Sequence, residues 1–126
     1  MSEANRQLVT DFCNALMAGT DKLVGFLSED VLYHNMPWPP VSGHDAVRKV
    51  LGPLVDADPC AVTKMEIHHT PAEGDIVMNA RDETWEHKGV KVVLPVAGVF
   101  RVRDGVITHW SDYFDVNTIQ PLLDVQ

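Results

Sequence analysis

The sequence predicts an α+β fold in which helices pack on a curved, mostly antiparallel sheet. Three observations carry that reading. Residues 77–115 read as three consecutive strands joined by the turns His87-Lys88-Gly89 and Arg103-Asp104-Gly105, whose glycines supply the positive φ of a tight hairpin. The first half of the chain instead repeats its apolar residues at helical spacing. Residues 61–69, with Val62, Met65 and Ile67 apolar, alternate as a further strand. At 126 residues the chain has room for one domain, 1–126, and not for two.

Taken in order, a first helix opens at Ser2 and Glu3, presents Leu8, Val9, Phe12, Cys13, Leu16 and Met17 on one face, and stops at Gly19. Asp21 is the expected cap of a short second helix reaching Leu27. Val31 to Met36 reads as a strand ended by Pro37, Pro39 and Pro40. After Gly43, a third helix over 44–55 has Ala46, Val47, Val50, Leu51 and Leu54 as its apolar face. Residues 56–59 form a loop, and Glu73-Gly74-Asp75 a turn into the three-strand block. The tail, 117–126, reads as one short turn of helix carrying Ile119, Leu122 and Leu123. Three helices thus fall in the N-terminal half.

Composition narrows the function. Net charge is −8 and the ten Lys and Arg are scattered, so no basic stripe exists to meet nucleic acid or an anionic membrane. No apolar stretch approaches a membrane span, and MSEANRQ lacks the positive, then apolar, pattern of a signal peptide. Cys13 and Cys60 lie in segments that read as buried, and nothing requires them to pair; a reduced, cytoplasmic protein is the expectation. The six histidines show no ligand spacing, and neither CxxC, HExxH nor a glycine-rich phosphate loop occurs. No metal or cofactor is therefore expected. Cys13 sits on an apolar helix face, where a thiol is packing rather than a nucleophile.

The chemistry concentrates in the three-strand block. Asn79, Arg81 and Glu83 alternate and so share one face; Trp110, Asp112 and Phe114 do the same two strands on. If those faces point inward, an arginine and two carboxylates meet in an apolar pocket and must satisfy one another. Paired carboxylates in an enclosed site suit acid–base chemistry. The other reading is a solvent-facing ion pair of little consequence. Alternation does not choose between them, because the opposite face, Met78, Ala80, Asp82 and Thr84, is also mixed. Tyr33 and Asn35, two residues apart, can both hydrogen-bond one water or ligand; alternatively Tyr33 buries its ring and wets its hydroxyl. Trp110, Phe114, Leu94, Val96, Met36 and Trp38 are the candidate lining, apolar and of moderate size.

YHN at 33–35, NARDE at 79–83, LPVAGVFRVRDGVIT at 94–108 and HWSDYFD at 109–115 resemble limonene-1,2-epoxide hydrolase and its relatives. That branch belongs to the cone-shaped superfamily of nuclear transport factor 2, ketosteroid isomerase and small polyketide cyclases. The resemblance covers nearly the whole chain. It implies a cone-shaped half-barrel and a homodimer formed through the sheet. It also implies that Tyr33, Asn35 and Asp112 hold a water that Asp112 deprotonates, while Arg81 bridges two carboxylates. The acid at position 83 then protonates the epoxide oxygen, in one step without covalent intermediate, metal or cofactor. This chain departs from the pattern there: Glu83 replaces the family's aspartate and is one methylene longer, while Asp82 should face the other way. Three functions stay open: hydrolysis of a small apolar epoxide (terpenoid, cyclic or aryl) to a vicinal diol; an isomerase, cyclase or lyase using the same carboxylates; and a ligand-binding module without chemistry.

Overall fold

In the computed structural model, which describes residues 2–126, the elements follow as α1 (Ser2–Ala15), α2 (Thr20–Val24), β1 (Leu27–Asn35), β2 (Val41–Ser42), α3 (His44–Val55), β3 (Val62–His69), β4 (Ala72–Glu73), β5 (Ile76–His87), β6 (Val90–Arg103), β7 (Val106–Tyr113) and α4 (Val116–Leu123). The strands form one curved, unclosed sheet in the order β2-β1-β7-β6-β5-β3, with β4 beside β5. Every pairing is antiparallel except β1 with β7. Register shifts in the β1–β7, β3–β5 and β6–β7 ladders bend the sheet around the helices, as bulges do. This is the α+β half-barrel that the sequence predicts.

Along β6 the residues alternate strictly, with Val92, Leu94, Val96, Gly98, Phe100 and Val102 inward and the intervening side chains outward or half-exposed. The two hairpins close as two-residue turns: Lys88 and Gly89 have φ of 49° and 81°, Asp104 and Gly105 of 51° and 78°. Positive φ at both central residues matches the right-handed twist of the flanking strands. Inside the curve, Phe12 of α1 meets the rings of Phe26, Phe100 and Trp110 edge-on, at centroid distances of 6.0, 6.0 and 4.7 Å. Its complete burial contributes about 2–3 kcal/mol.

Four expectations need correction. The second helix ends at Val24 rather than Leu27, because the chain from Leu27 enters the sheet: Leu27 pairs with Ile107, whose N–H donates to Phe26 O at 2.8 Å. Asp21 does not cap α2. Asp56, assigned to a loop, reaches across from the end of α3 and accepts from Thr20 N (2.7 Å) and Oγ1 (2.5 Å). The first helix ends at Ala15, followed by turns in which Leu16, Met17 and Ala18 donate three residues back. The tail makes two helical turns rather than one, capped by Asp115, whose side chain accepts from Asn117 N at 2.9 Å. That helix lies against β5 and β6 and closes the open end of the sheet over the site.

Candidate active site

Strand register builds the site. Asn79 of β5 lies opposite Gly98 of β6, Gly98 opposite Asp112 of β7, and Asp112 beside Asn35 of β1. One step along β5, Arg81 faces Val96, and Glu83 faces Leu94. Only Gly98, in the centre of that row, lacks a side chain, and the guanidinium of Arg81 passes over it to reach β7. A Cβ built on Gly98 would stand 2.5 Å from Arg81 Nη1, 2.7 Å from Phe100 Cε1 and 2.8 Å from Asn79 Oδ1. The glycine is thus a close-approach position, as strand glycines often are.

Arg81 donates from Nε to Glu83 Oε2, from Nη1 to Asn79 Oδ1 and from Nη2 to Asp112 Oδ2, each at 2.8 Å. Arg81, Glu83 and Asp112 are 2, 4 and 6% exposed, which excludes the solvent-facing ion pair. Asn79 passes the network on, donating to Cys13 Sγ at 3.4 Å. Trp85 Nε1 donates to Glu83 Oε1 at 3.1 Å. Asp82 faces away, 3.1 Å from His68 on the outside of the sheet.

Burial pushes the carboxyl of Asp112 above the usual carboxylate range; Arg81 opposes that and Glu83 adds to it. Burial alone would pull the Arg81 guanidinium down, but Asp112 and Glu83 hold it well above its ordinary value, so it is permanently charged. Burial, reinforced by Asp112, pushes the Tyr33 phenol up, so it is a neutral donor. The Cys13 thiol is pushed up to about 11, chiefly by burial, and is a neutral acceptor for Asn79 rather than a nucleophile.

Tyr33 stacks on Trp110, with centroids 3.9 Å apart and planes 17° from parallel, and its oxygen accepts from Asn35 Nδ2 at 2.8 Å. That leaves the phenol's own proton to be donated. Among the described residues three buried polar side-chain atoms lack a hydrogen-bond partner: Ser28 Oγ, Trp110 Nε1 and, in the site, Asp112 Oδ1. An orphaned carboxylate oxygen costs about 1–3 kcal/mol, the signature of a place that a polar guest fills.

Tyr33, Asn35, Glu83, Asp112, Leu94, Val96, Trp110, Phe114 and Trp38 line one cavity of about 90 Å³, with Arg81 behind the two carboxylates. Trp38 is exposed and meets Phe114 with ring centroids 5.7 Å apart. Met36 is the exception. It follows the last residue of β1, donates its N–H to Asp112 O at 3.0 Å, and is absent from the lining. The opposite wall, which alternation along strands does not reveal, comes from Leu51, Leu54 and Ile119 of the helices, from Leu16 in the turn after α1 and from Trp85. Trp85 was legible in principle, since it follows Glu83 by two on the same strand face. An adjoining pocket of about 200 Å³ shares Tyr33, Asn35, Trp38 and Val50 with the cavity. Among the described residues no group of three His, Cys, Asp or Glu side chains could hold a metal, and no helix is long and apolar enough to cross a membrane.

The family model for the limonene-1,2-epoxide hydrolase catalytic domain matches residues 3–123. Epoxide hydrolase EphG of Mycobacterium tuberculosis is 31% identical over 109 residues, which are 86% of this chain and 71% of that protein. A solved LEH-like epoxide hydrolase of M. tuberculosis superposes with a TM-score of 0.79 at 30% identity, covering 97% of this chain and 91% of that one. A putative SnoaL-like polyketide cyclase from Shewanella putrefaciens shares the fold alone, with a TM-score of 0.75 at 16% identity over 97% of this chain and 86% of the other. By both its sequence and its fold, the chain belongs to the limonene-1,2-epoxide hydrolase family.

Proposed function

We propose that this hydrolase adds water in a single, cofactor-independent step to a small apolar epoxide, giving a vicinal diol. One observation carries the reading: a guanidinium ties together two buried carboxylates, and the only unpaired oxygen of the pair, Asp112 Oδ1, shares a cavity with Tyr33 and Asn35.

With both carboxylates ionised the cluster would hold net charge −1 in apolar surroundings; one shared proton makes it neutral. A water donating to Asp112 Oδ1 stabilises Asp112 as the anion and so favours the proton on Glu83. Tyr33 and Asn35 orient that water. In the reaction its oxygen bonds to an epoxide carbon and one of its protons passes to Asp112. The carbon–oxygen bond of the ring breaks, and the departing oxygen takes the proton of Glu83. Atoms and charge balance: epoxide and water become diol, and a proton then returns from Asp112 to Glu83. Once the bound water and Arg81 hold Asp112 ionised, its raised affinity for protons makes it a strong base. Arg81 stays charged throughout and stabilises whichever carboxylate is ionised.

The apolar walls and the volumes of about 90 and 200 Å³ favour neutral terpenoid, cyclic or aryl epoxides over charged ones. Free Cys13 and Cys60 agree with a reduced, cytoplasmic setting. Leu32, Met78, Val93 and Tyr113, exposed on the face of the sheet turned away from the helices, agree with a homodimer through the sheet. The test is a panel of such epoxides with diol detection by mass spectrometry. Diol formation abolished in Asp112→Asn supports the reading; conversion of a carbon acid but of no epoxide refutes it.

A further inference from the structure

Glu83 is a longer and looser acid than an aspartate in its place would be, having one more rotatable bond. A single bond from Arg81 Nε to Oε2 fixes one of its oxygens and leaves the carboxyl plane free to swing. The second oxygen is held by Trp85, whose indole Nε1 donates to Oε1 at 3.1 Å. Trp85 is 6% exposed and lines the cavity, so its ring is locked by packing, and its N–H points along one direction only. The two donors are rigid and planar, and they grip opposite oxygens of one carboxylate.

We propose that Trp85 is the positioning residue for Glu83: its indole N–H sets the orientation from which Glu83 delivers its proton, and strengthens as negative charge forms on that carboxyl. This deepens the proposed hydrolysis and rests on it. An N–H donated to a carboxyl binds the anion more tightly than the acid, so the bond gains strength between ground state and transition state. The other titratable groups around Glu83 are Arg81 on its own strand, Asp112 of β7, Tyr33 of β1 and Cys13 of α1. Of these, Arg81 alone donates to Glu83, and to the other oxygen.

The test is Trp85→Phe, which keeps an aromatic body in the wall and removes the N–H. The expected result is a fall in kcat of about 10- to 100-fold with KM changed less than about 3-fold, as for a group acting in the transition state. The alkaline limb of the kcat profile moves to higher pH, because Glu83 now gives up its proton less readily. Carbon-13 NMR of the Glu83 carboxyl reports that same upward move without turnover, and a purely structural Trp85 would leave it in place. Unchanged kcat with an unmoved Glu83 titration overturns the inference. If no epoxide is hydrolysed by the wild type but the titration moves, the positioning stands and the hydrolase reading falls. Should Trp85→Phe not fold, the indole proton of Trp85 in the wild type must shift as Glu83 titrates; an indole resonance blind to that titration is equally fatal.

Discussion

Gly98→Ala puts the geometry of the site to a quantitative test. Alanine is ordinarily the better strand residue by about 0.5–1 kcal/mol, so on propensity alone the variant gains stability. The new methyl, however, meets Arg81 Nη1 at 2.5 Å and two further groups under 3 Å. An arginine terminus elsewhere would swing aside cheaply. Here three of its nitrogens are committed at 2.8 Å and the residue is 2% exposed, so moving it breaks a bond to Asn79 or Asp112. Overpacking costs about 1–3 kcal/mol and one lost buried, charge-assisted hydrogen bond about 1.5–3 kcal/mol. Set against the propensity gain, the net loss is about 2–5 kcal/mol. Displacing the guanidinium by about 1 Å also misplaces both carboxylates, for about a 100-fold loss in kcat/KM. Urea unfolding and epoxide turnover measure the two effects. A Gly98→Ala protein as stable and as active as the wild type refutes the claim that Arg81 needs the space above that glycine.

Four further outcomes are expected. Asp112→Asn and Glu83→Gln each lower hydrolysis by at least about 100-fold. Asp112 has its folded-state carboxyl raised, so its ionisation opposes folding at every pH above the ordinary value near 4. Urea unfolding at pH 8 should therefore find Asp112→Asn at least as stable as wild type; a large loss would contradict that sign. Activity needs one proton on the carboxylate pair, so kcat/KM against pH is bell-shaped with its acid limb above about pH 4, and a limb at or below that value denies the burial of Asp112 its effect. Asp56→Ala removes the cross-helix cap and costs about 1 kcal/mol at pH 7. The hydrogen bonds from Thr20, side chain first and then backbone, hold Asp56 below the ordinary carboxylate value. That contribution is thus full above about pH 4 and fades as pH falls below it, a convergence visible in parallel urea titrations.

Much of the site is legible in the chain because strand alternation is local. Asn79, Arg81 and Glu83 had to share a face, as did Leu94 and Val96; the structure decides which way that face points, and burial decides that it is inward. What the chain does not announce is long-range. The parallel pairing of β1 with β7, which sets Tyr33 beside Trp110 and Asn35 beside Asp112, joins residues 77 positions apart by a contact that no local pattern encodes. The same pairing drew Leu27 out of the helix assigned to it. Asp56 reads as a loop residue because its partner, Thr20, lies 36 positions away. Met36 falls outside the cavity because it follows Asn35 by one residue, out of step with the Tyr33 and Asn35 alternation that faces the site. Gly98 carried a signal, an isolated glycine within an apolar strand, whose meaning emerges only once Arg81 is seen to pass over it.

In the proposed reaction water, and no side chain, attacks the ring. A single turnover in oxygen-18 water, with enzyme in excess over epoxide, tests that most directly. Asp112 acting as a base predicts one heavy oxygen in the diol from the very first turnover. A first diol without label, its new oxygen drawn from a carboxylate of the protein, would mean covalent catalysis and contradict the mechanism.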